Sequence, residues 1–325
     1  MSKKSFSNSS RPVVVADDAI PFLEGVLEPW CTVRYIKGSQ IGPSDVRDAS
    51  ALLVRTRTKC GAALLSGSSV RLVATATIGT DHIDIPWCET HGIEVVSAPG
   101  CNAGGVRQWV FAALRALGVL AMPSRPTLGV VGVGHVGSLI VETAKDLGFN
   151  VLCNDVITRA SYVPLDYLLA NSDIVTLHIP KENNINFADA EFFAKMKPGA
   201  VFLNASRGEV VDDEALLAAR KRLSALALDV WRGEPDINLK LLAAADIATP
   251  HIAGYSFQGK VNGTAAVLKA TSRCLGLPEL SPALPAEFPP VVPYDIKHDD
   301  AALRASTKDF ETLRSHYFYR DDSLF

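Results

Sequence analysis

A chain of 325 residues, 48% hydrophobic and 21% charged, has ordinary globular composition and enough length for two or three domains. A net charge of −3, a sequence pI near 6.2 and the lack of a long basic run argue against a nucleic-acid partner. Six scattered cysteines, with no CxxC and no ligand spacing to histidine, speak against a metal site and a disulfide framework, and no apolar run has membrane-spanning length.

Residues 1–11 are polar and rich in Ser and Lys, which predicts a disordered extension without a signal-peptide core. Free thiols fit a reducing, cytoplasmic setting. Short β-branched runs predict strands over 12–16, 31–36, 51–54, 70–75 and 93–96, with helices over 21–27 and 86–91. Several of these strands end in small polar residues, as parallel strands do at a binding edge. A longer apolar segment, 106–120, predicts a helix linking this half to the next.

Strands are predicted again over 127–131, 149–153, 173–179, 200–204, 225–229 and 247–249. Helices over 138–147, 165–170, 190–196, 212–222 and 239–245 alternate with them. A helix over 257–275 follows, where the chain is expected to return to the first domain. Proline-rich residues 277–293 read as a linker. Residues 294–325 could hold a strand and a helix over 306–315. That is too little for a core of their own, so they are expected to pack on a partner surface or to be partly disordered.

The stretch that organises the chain is Val131-Gly132-Val133-Gly134-His135-Val136-Gly137. It lies between a strand and a helix, and the next strand ends in Asp155, 18 residues after Gly137. Gly132 suits the tight turn, Gly134 a close backbone approach to a pyrophosphate, and Gly137 close packing of helix on strand. The helix N-terminus supplies unpaired N–H groups for an anion. The plainer alternative is a glycine-rich turn in an α/β domain without a cofactor.

Three further motifs fall at strand ends: Asn204-Ala205-Ser206-Arg207-Gly208, Asp229 to Glu234, and Thr249-Pro250-His251 onward to Tyr255. Oxidising a hydroxy acid requires a base for the hydroxyl proton, and the ordinary imidazole pKa of about 6.5 suits His251 to that role. Glu234 is a candidate partner that would fix the imidazole tautomer, and Arg207 offers a planar fork for a carboxylate. The alternatives are a surface ion pair for Arg207, a solvated acid for Glu234 and a structural histidine for His251.

With these residues the chain resembles the D-isomer-specific 2-hydroxyacid dehydrogenases. Further carriers are Val54 to Lys59, Thr75 to Asp84, Ala98-Pro99-Gly100-Cys101-Asn102-Ala103 and His251 to Tyr255, within about residues 12–276. These point within the family to the branch acting on 4-phospho-D-erythronate in vitamin B6 synthesis. The resemblance implies two Rossmann-like, doubly wound parallel-sheet α/β domains. An NAD-binding domain, 101–251, would be inserted in a discontinuous substrate domain, 12–100 and 252–276, followed by a shortened dimerisation-type tail, 277–325.

It further implies catalytic Arg207, Glu234 and His251, and substrate contacts from Thr56, Thr77 and Tyr255. Cofactor contacts would come from Gly132, Gly134, His135, Val136, Gly137, Asp155, Ile179, Ser206, Asp229 and Gly254. Asp155 favours NAD over NADP by repelling a 2′-phosphate. The expected partners are a small phosphorylated hydroxy acid and a second copy of the chain, with neither nucleic acid nor membrane. The alternatives kept open are helix-capping roles for the threonines and a backbone-capping role for Asp229. The whole protein could instead act on another 2-hydroxy or 2-keto acid, or be an NAD-sensing binding or corepressor protein. Four features depart from the family pattern: Ile179 where a small hydroxyl residue is usual, a connection from Lys181 to Asp189 that looks shorter than usual, Gln108 about where the family has an acid, and the short tail.

Overall fold

The computed structural model describes residues 11–122, 124–288 and 292–323; the expected extension lies outside them apart from Arg11. The described chain divides into two compact units. One holds the residues up to Asn102 together with Gln258–Phe288, and the other holds Ala103–Phe257 and the tail after residue 289. The second unit is thus inserted in the first. Among the described residues no helix is long and apolar enough to cross a membrane.

The first unit is built on a parallel sheet of β1 (Val13–Asp17), β2 (Thr32–Ile36), β3 (Ala51–Val54), β4 (Leu72–Thr75) and β5 (Glu94–Val96), in the order β2-β1-β3-β4-β5. β3 and β4 are buried along their whole length, as in a sheet covered on both faces. Their side chains alternate between two cores. Val14, Ala16, Leu53 and Ala74 pack with Val267 and Leu268 of the helix Phe257–Leu275. Val15, Leu52, Val54 and Val73 pack with Leu64, Leu65 and Cys88 on the other face. Each fully buried valine or leucine among them contributes about 1.5–3 kcal/mol. The predicted helix over 21–27 is absent: Phe22 and Gly25 take φ of 61° and 83°, and this left-handed backbone breaks a helix into turns.

The second unit carries β6 (Thr127–Val131), β7 (Asn150–Asn154), β8 (Ile174–Leu177), β9 (Val201–Asn204), β10 (Ala225–Leu228) and β11 (Ile247–Ala248). All six are parallel, in the order β11-β10-β9-β8-β6-β7. β6 has its successor β7 on one side and β8 on the other, so the winding reverses there. That reversal opens a crevice at the carboxyl ends of β6 and β8, where doubly wound sheets take ligands. Asp212 caps the helix Asp213–Ala219 by accepting from the amide of Ala215 at 3.0 Å, as its sequence position predicts.

The tail corrects the sequence reading. It forms two helices, Ile296–Ala305 and Phe310–Ser315, and no strand among the described residues. It packs on its own chain: Ile296, Leu303 and Phe310 are buried in the two cores of the second unit's sheet. Asp300 accepts from the amide of Ala248 on the edge strand β11 at 2.7 Å. Arg304 donates to the carbonyls of Leu242 and Ala245 at 3.0 and 2.8 Å, beside the end of the helix Leu239–Ala244. The tail therefore covers a sheet edge and pairs backbone groups that would otherwise need water. The expected boundaries shift with it. The crossing points fall after 102 and 257, because the helix Ala103–Ala116 buries its apolar face in the second unit, and the tail joins that unit too.

Candidate active site

The glycine loop begins where β6 ends. Gly132 has φ of 87°, and a Cβ there would lie 2.5 Å from the carbonyl oxygen of His178. At Gly137 a Cβ would lie 2.0 Å from the carbonyl oxygen of Gly132, so the helix His135–Asp146 can sit this close to the loop only without a side chain. Gly134 differs: a Cβ there would meet nothing within 4 Å. The loop is thus packed below and open above. The helix that starts at His135 has no acidic residue in its first turn and no side-chain cap, which leaves its first amides without a capping acceptor from the helix itself. An open glycine over unpaired helix amides fits a pyrophosphate.

Asp155 stands one residue past β7 and braces the loop. Its Oδ2 accepts from the amide of Val133 at 2.6 Å and its Oδ1 from that of Ile157 at 2.9 Å. Ile179 follows β8, with its Cγ2 2.8 Å from a Cβ built at Gly132, so it lines the same crevice. Its apolar side chain leaves only backbone polar groups for a ligand there.

Beyond β9, Asn204 builds the Arg207 turn. Its Oδ1 accepts from the amide and hydroxyl of Ser206 at 3.0 and 2.7 Å, and its Nδ2 donates to the Arg207 carbonyl at 2.9 Å. Arg207 is half-buried, and its Nη1 donates to the Ser206 carbonyl at 2.8 Å. The next residue must be glycine, since a Cβ on Gly208 would lie 2.1 Å from the Trp231 backbone.

Asp229, at the end of β10, organises the histidine turn. Its carboxylate accepts from the Thr249 hydroxyl at 2.6 Å and from the amides of Ile252 and Ala253 at 2.8 and 2.9 Å. Burial pushes this carboxyl up in pKa, while nearby His251 and these donors oppose the rise. The side chain thus does the backbone-capping job that the sequence left open for it. Thr249 is also held by two indoles: Trp109 donates to its hydroxyl and Trp231 to its carbonyl, both at 2.9 Å. His251 itself has φ of 56°, a left-handed backbone that costs a non-glycine residue about 1–3 kcal/mol. Its amide donates to the carbonyls of Asp229 and Thr249 at 2.7 and 3.0 Å, and these bonds hold the turn in that state.

Glu234 comes from the loop after β10. Its Oε1 accepts from the Trp231 amide at 2.9 Å, and its Oε2 lies 2.7 Å from Nδ1 of His251. Burial pushes the Glu234 carboxyl up, but His251, Arg314 and the Trp231 amide together hold it below its ordinary value. An ionised carboxylate only accepts, so Nδ1 carries the proton and Nε2 is the nitrogen left to exchange one. Tyr255 follows on the same turn, its ring edge-on to Tyr317 with centroids 6.2 Å apart.

Arg207, Ser206, Asp229, Glu234, His251, Gly254 and Tyr255 are all in the second unit with the glycine loop. Thr56 and Thr77 belong to the first, just past the paired strands β3 and β4. Thr56 is exposed, whereas the Thr77 hydroxyl is 2.7 Å from that of Thr75 and donates to the Gly79 carbonyl at 3.2 Å. Sequence reading missed the tail residues Arg314 and Arg320. Arg314 Nη1 lies 3.8 Å from Oε2 of Glu234. Neither belongs to a motif, and the only local cue was the aromatic run Tyr317-Phe318-Tyr319 before Arg320.

A family model described as the D-isomer specific 2-hydroxyacid dehydrogenase, NAD binding domain, matches residues 109–253. The erythronate-4-phosphate dehydrogenase of Bacteroides fragilis is 39% identical over 331 residues, covering 94% of this chain and 95% of that relative. That of Porphyromonas gingivalis is 38% identical over 346 residues, covering 94% and 92%. Among solved structures, the D-lactate dehydrogenase of Aquifex aeolicus complexed with NAD and lactic acid superposes with a TM-score of 0.71. It is 28% identical, over 81% of this chain and 95% of that one. A shortened tail therefore does not set this chain apart from the two curated relatives, of which it matches more than nine-tenths. With such identity along nearly its whole length, and the NAD-binding domain falling on the unit that holds Glu234 and His251, the chain belongs to the erythronate-4-phosphate dehydrogenases, NAD-dependent oxidoreductases of the D-isomer-specific 2-hydroxyacid dehydrogenase family.

Proposed function

We propose that the protein oxidises the C2 hydroxyl of 4-phospho-D-erythronate to (R)-3-hydroxy-2-oxo-4-phosphooxybutanoate, as a step of vitamin B6 synthesis. The observation that carries this is the 2.7 Å contact between Glu234 and His251 at the carboxyl edge of an NAD-binding sheet. It leaves Nε2 of His251 to take the hydroxyl proton as the C2–H bond breaks. Bound NAD supplies the acceptor for the hydride. Arg207 grips the C1 carboxylate through its guanidinium and polarises the forming carbonyl. Glu234 orients the imidazole and stabilises its protonated form once the proton has moved.

The glycine loop, with the backbone of His135, Val136 and Ile179, holds the dinucleotide, while Asp155 takes its ribose. Ser206, Asp229 and Gly254 frame the nicotinamide end. Thr56, Thr77 and Tyr255 are the hydroxyls we assign to the substrate. A homodimer remains part of this reading.

The test is NADH formation by the pure protein given 4-phosphoerythronate, 3-phosphoglycerate and D-lactate side by side. Phosphoerythronate should be turned over best, and replacing His251 with Ala should cut turnover by about 10²–10⁴-fold. Preference for lactate would move the protein to another substrate within the family. Full turnover by the His251→Ala variant would remove His251 from its role.

A further inference from the structure

Glu234 has a second charged neighbour. Nη1 of Arg314 lies 3.8 Å from the same Oε2 that faces His251, and the side chains of Arg314 and Glu234 are only 18% and 16% exposed. The guanidinium also faces the hydroxyl of Tyr255, and Glu311 stands 3.9 Å from it on its own helix. Arg314 comes from the helix Phe310–Ser315, so a tail residue 80 positions beyond Glu234 in sequence enters the acid/base centre. The placement is anchored, since Phe310 of the same helix is fully buried in the core beneath the sheet.

The charges around the pair are few. Glu234 faces His251 and Arg314, and Asp229 faces His251 from the end of β10. Arg314 in turn faces Glu234, Glu311 and Tyr255. When His251 is protonated, Glu234 lies between two cations. Arg314 then has two effects. It fixes the carboxylate from a second direction, and it offsets part of the negative charge that would otherwise favour the imidazolium.

We propose that Arg314 is a positioning residue of the reaction, through which the tail of the same chain holds Glu234 and Tyr255 and sets the pH at which His251 accepts the substrate proton. This rests on His251 being the base, as argued above. Without Arg314 the carboxylate serves the imidazole alone and the imidazolium is favoured. The limb of kcat/KM that rises with pH during oxidation must then move upward.

The experiment compares Arg314→Met, Arg314→Gln and Arg314→Lys with the parent protein. For Met and Gln, the rising limb should move up by about half to one pH unit, with kcat near neutrality down about three- to tenfold. Lysine keeps the charge, so it should restore the limb more than it restores kcat. NADH affinity, read by fluorescence, should stay within about twofold in all three, which separates positioning from a general loss of structure.

A second readout needs no substrate. The midpoint of the His251 imidazole titration, followed by NMR with the signal assigned through His251→Gln, should move by the same amount. A parent protein that turns over no hydroxy acid would refute the functional reading, while this midpoint would still decide the role of Arg314. An unmoved midpoint in both Met and Gln variants would overturn the proposal, as would a limb that moves equally with Lys.

Discussion

Nε of Arg320 donates to Oε1 of Gln108 at 2.6 Å, joining residues 212 positions apart. The same guanidinium donates to the carbonyls of Ile252, Tyr255 and Gly105 at 2.9, 3.2 and 3.1 Å, and to that of Ala253. Its Cζ lies over the ring of Tyr294, 4.3 Å from the centroid. Three of these carbonyls belong to the turn that carries His251 and Tyr255, so one buried tail cation terminates the backbone of that turn. Gln108 supplies a neutral acceptor for it.

Replacing Arg320 with Met should therefore cost about 3–5 kcal/mol, because it leaves several buried acceptors unpaired. Urea unfolding should show it as a lower midpoint. Limited proteolysis should begin to cut between residues 292 and 323. A variant with parental stability and an uncut tail would show that the latch is incidental. Gln108→Leu should act in the same direction by about 1–3 kcal/mol, since it removes the charged hydrogen bond to Arg320 and the one that Gln108 donates to the Asp321 carbonyl.

The three loop glycines should separate under alanine substitution. Gly137→Ala forces a Cβ to within 2.0 Å of a backbone oxygen, so the helix or the loop must shift. That variant should lose both thermal stability and NADH binding. Gly134→Ala has open space within 4 Å and an ordinary φ of −78°, so its melting temperature should stay within a degree or two. NADH affinity should nonetheless fall by at least about tenfold, because the new methyl occupies the open face. Equal affinity in Gly134→Ala and the parent protein would place the pyrophosphate elsewhere.

What the sequence made legible follows how local each signal is. The glycine loop, the strand alternation and the acid after β7 depend on neighbours within about thirty residues, and the structure has them where spacing puts them. The pairing of Glu234 with His251 was readable because both follow adjacent parallel strands, so their loops must meet. Arg314 and Arg320 were not readable, because their partners lie 80 and 212 positions away and nothing in a short charged tail encodes such contacts. The turn over 21–27 failed for the opposite reason. Its composition allows a helix, and only the left-handed Phe22 and Gly25 break it.

Glu234 gives a pH-dependent outcome with a definite sign. Its folded carboxyl lies below its ordinary value, with burial opposed by His251 and Arg314. A depressed carboxyl stabilises the fold at pH above its unfolded value of about 4.3, and this is lost as pH falls through the folded value. Glu234→Gln should therefore be less stable than the parent protein at pH 7, and the gap should close under acid. The imidazolium also loses its carboxylate, so the rising limb of kcat/KM should move to lower pH, opposite to the Arg314→Met shift. Denaturant curves at pH 7 and pH 3.5 check the first outcome and a pH–rate profile the second. A stability gap that widens in acid would mean that the pair does not hold the charge assigned to it.

Asp155 braces the glycine loop and is the residue we assign to cofactor choice. Both carboxylate oxygens already hold backbone amides, at 2.6 Å from Val133 and 2.9 Å from Ile157, so the acid is fixed before a ribose arrives. A fixed carboxylate binds a 2′-hydroxyl and repels a 2′-phosphate. Asp155→Asn keeps one acceptor oxygen and removes the charge. The kcat/KM ratio of NAD to NADP should fall by about tenfold or more, with a loop cost of about 1 kcal/mol. Asp155→Ala removes the acceptors as well, so the Val133 amide loses its partner and affinity for both cofactors should drop. If Asn leaves the ratio untouched while Ala lowers both affinities, the acid serves the loop alone and selectivity comes from other residues of the crevice.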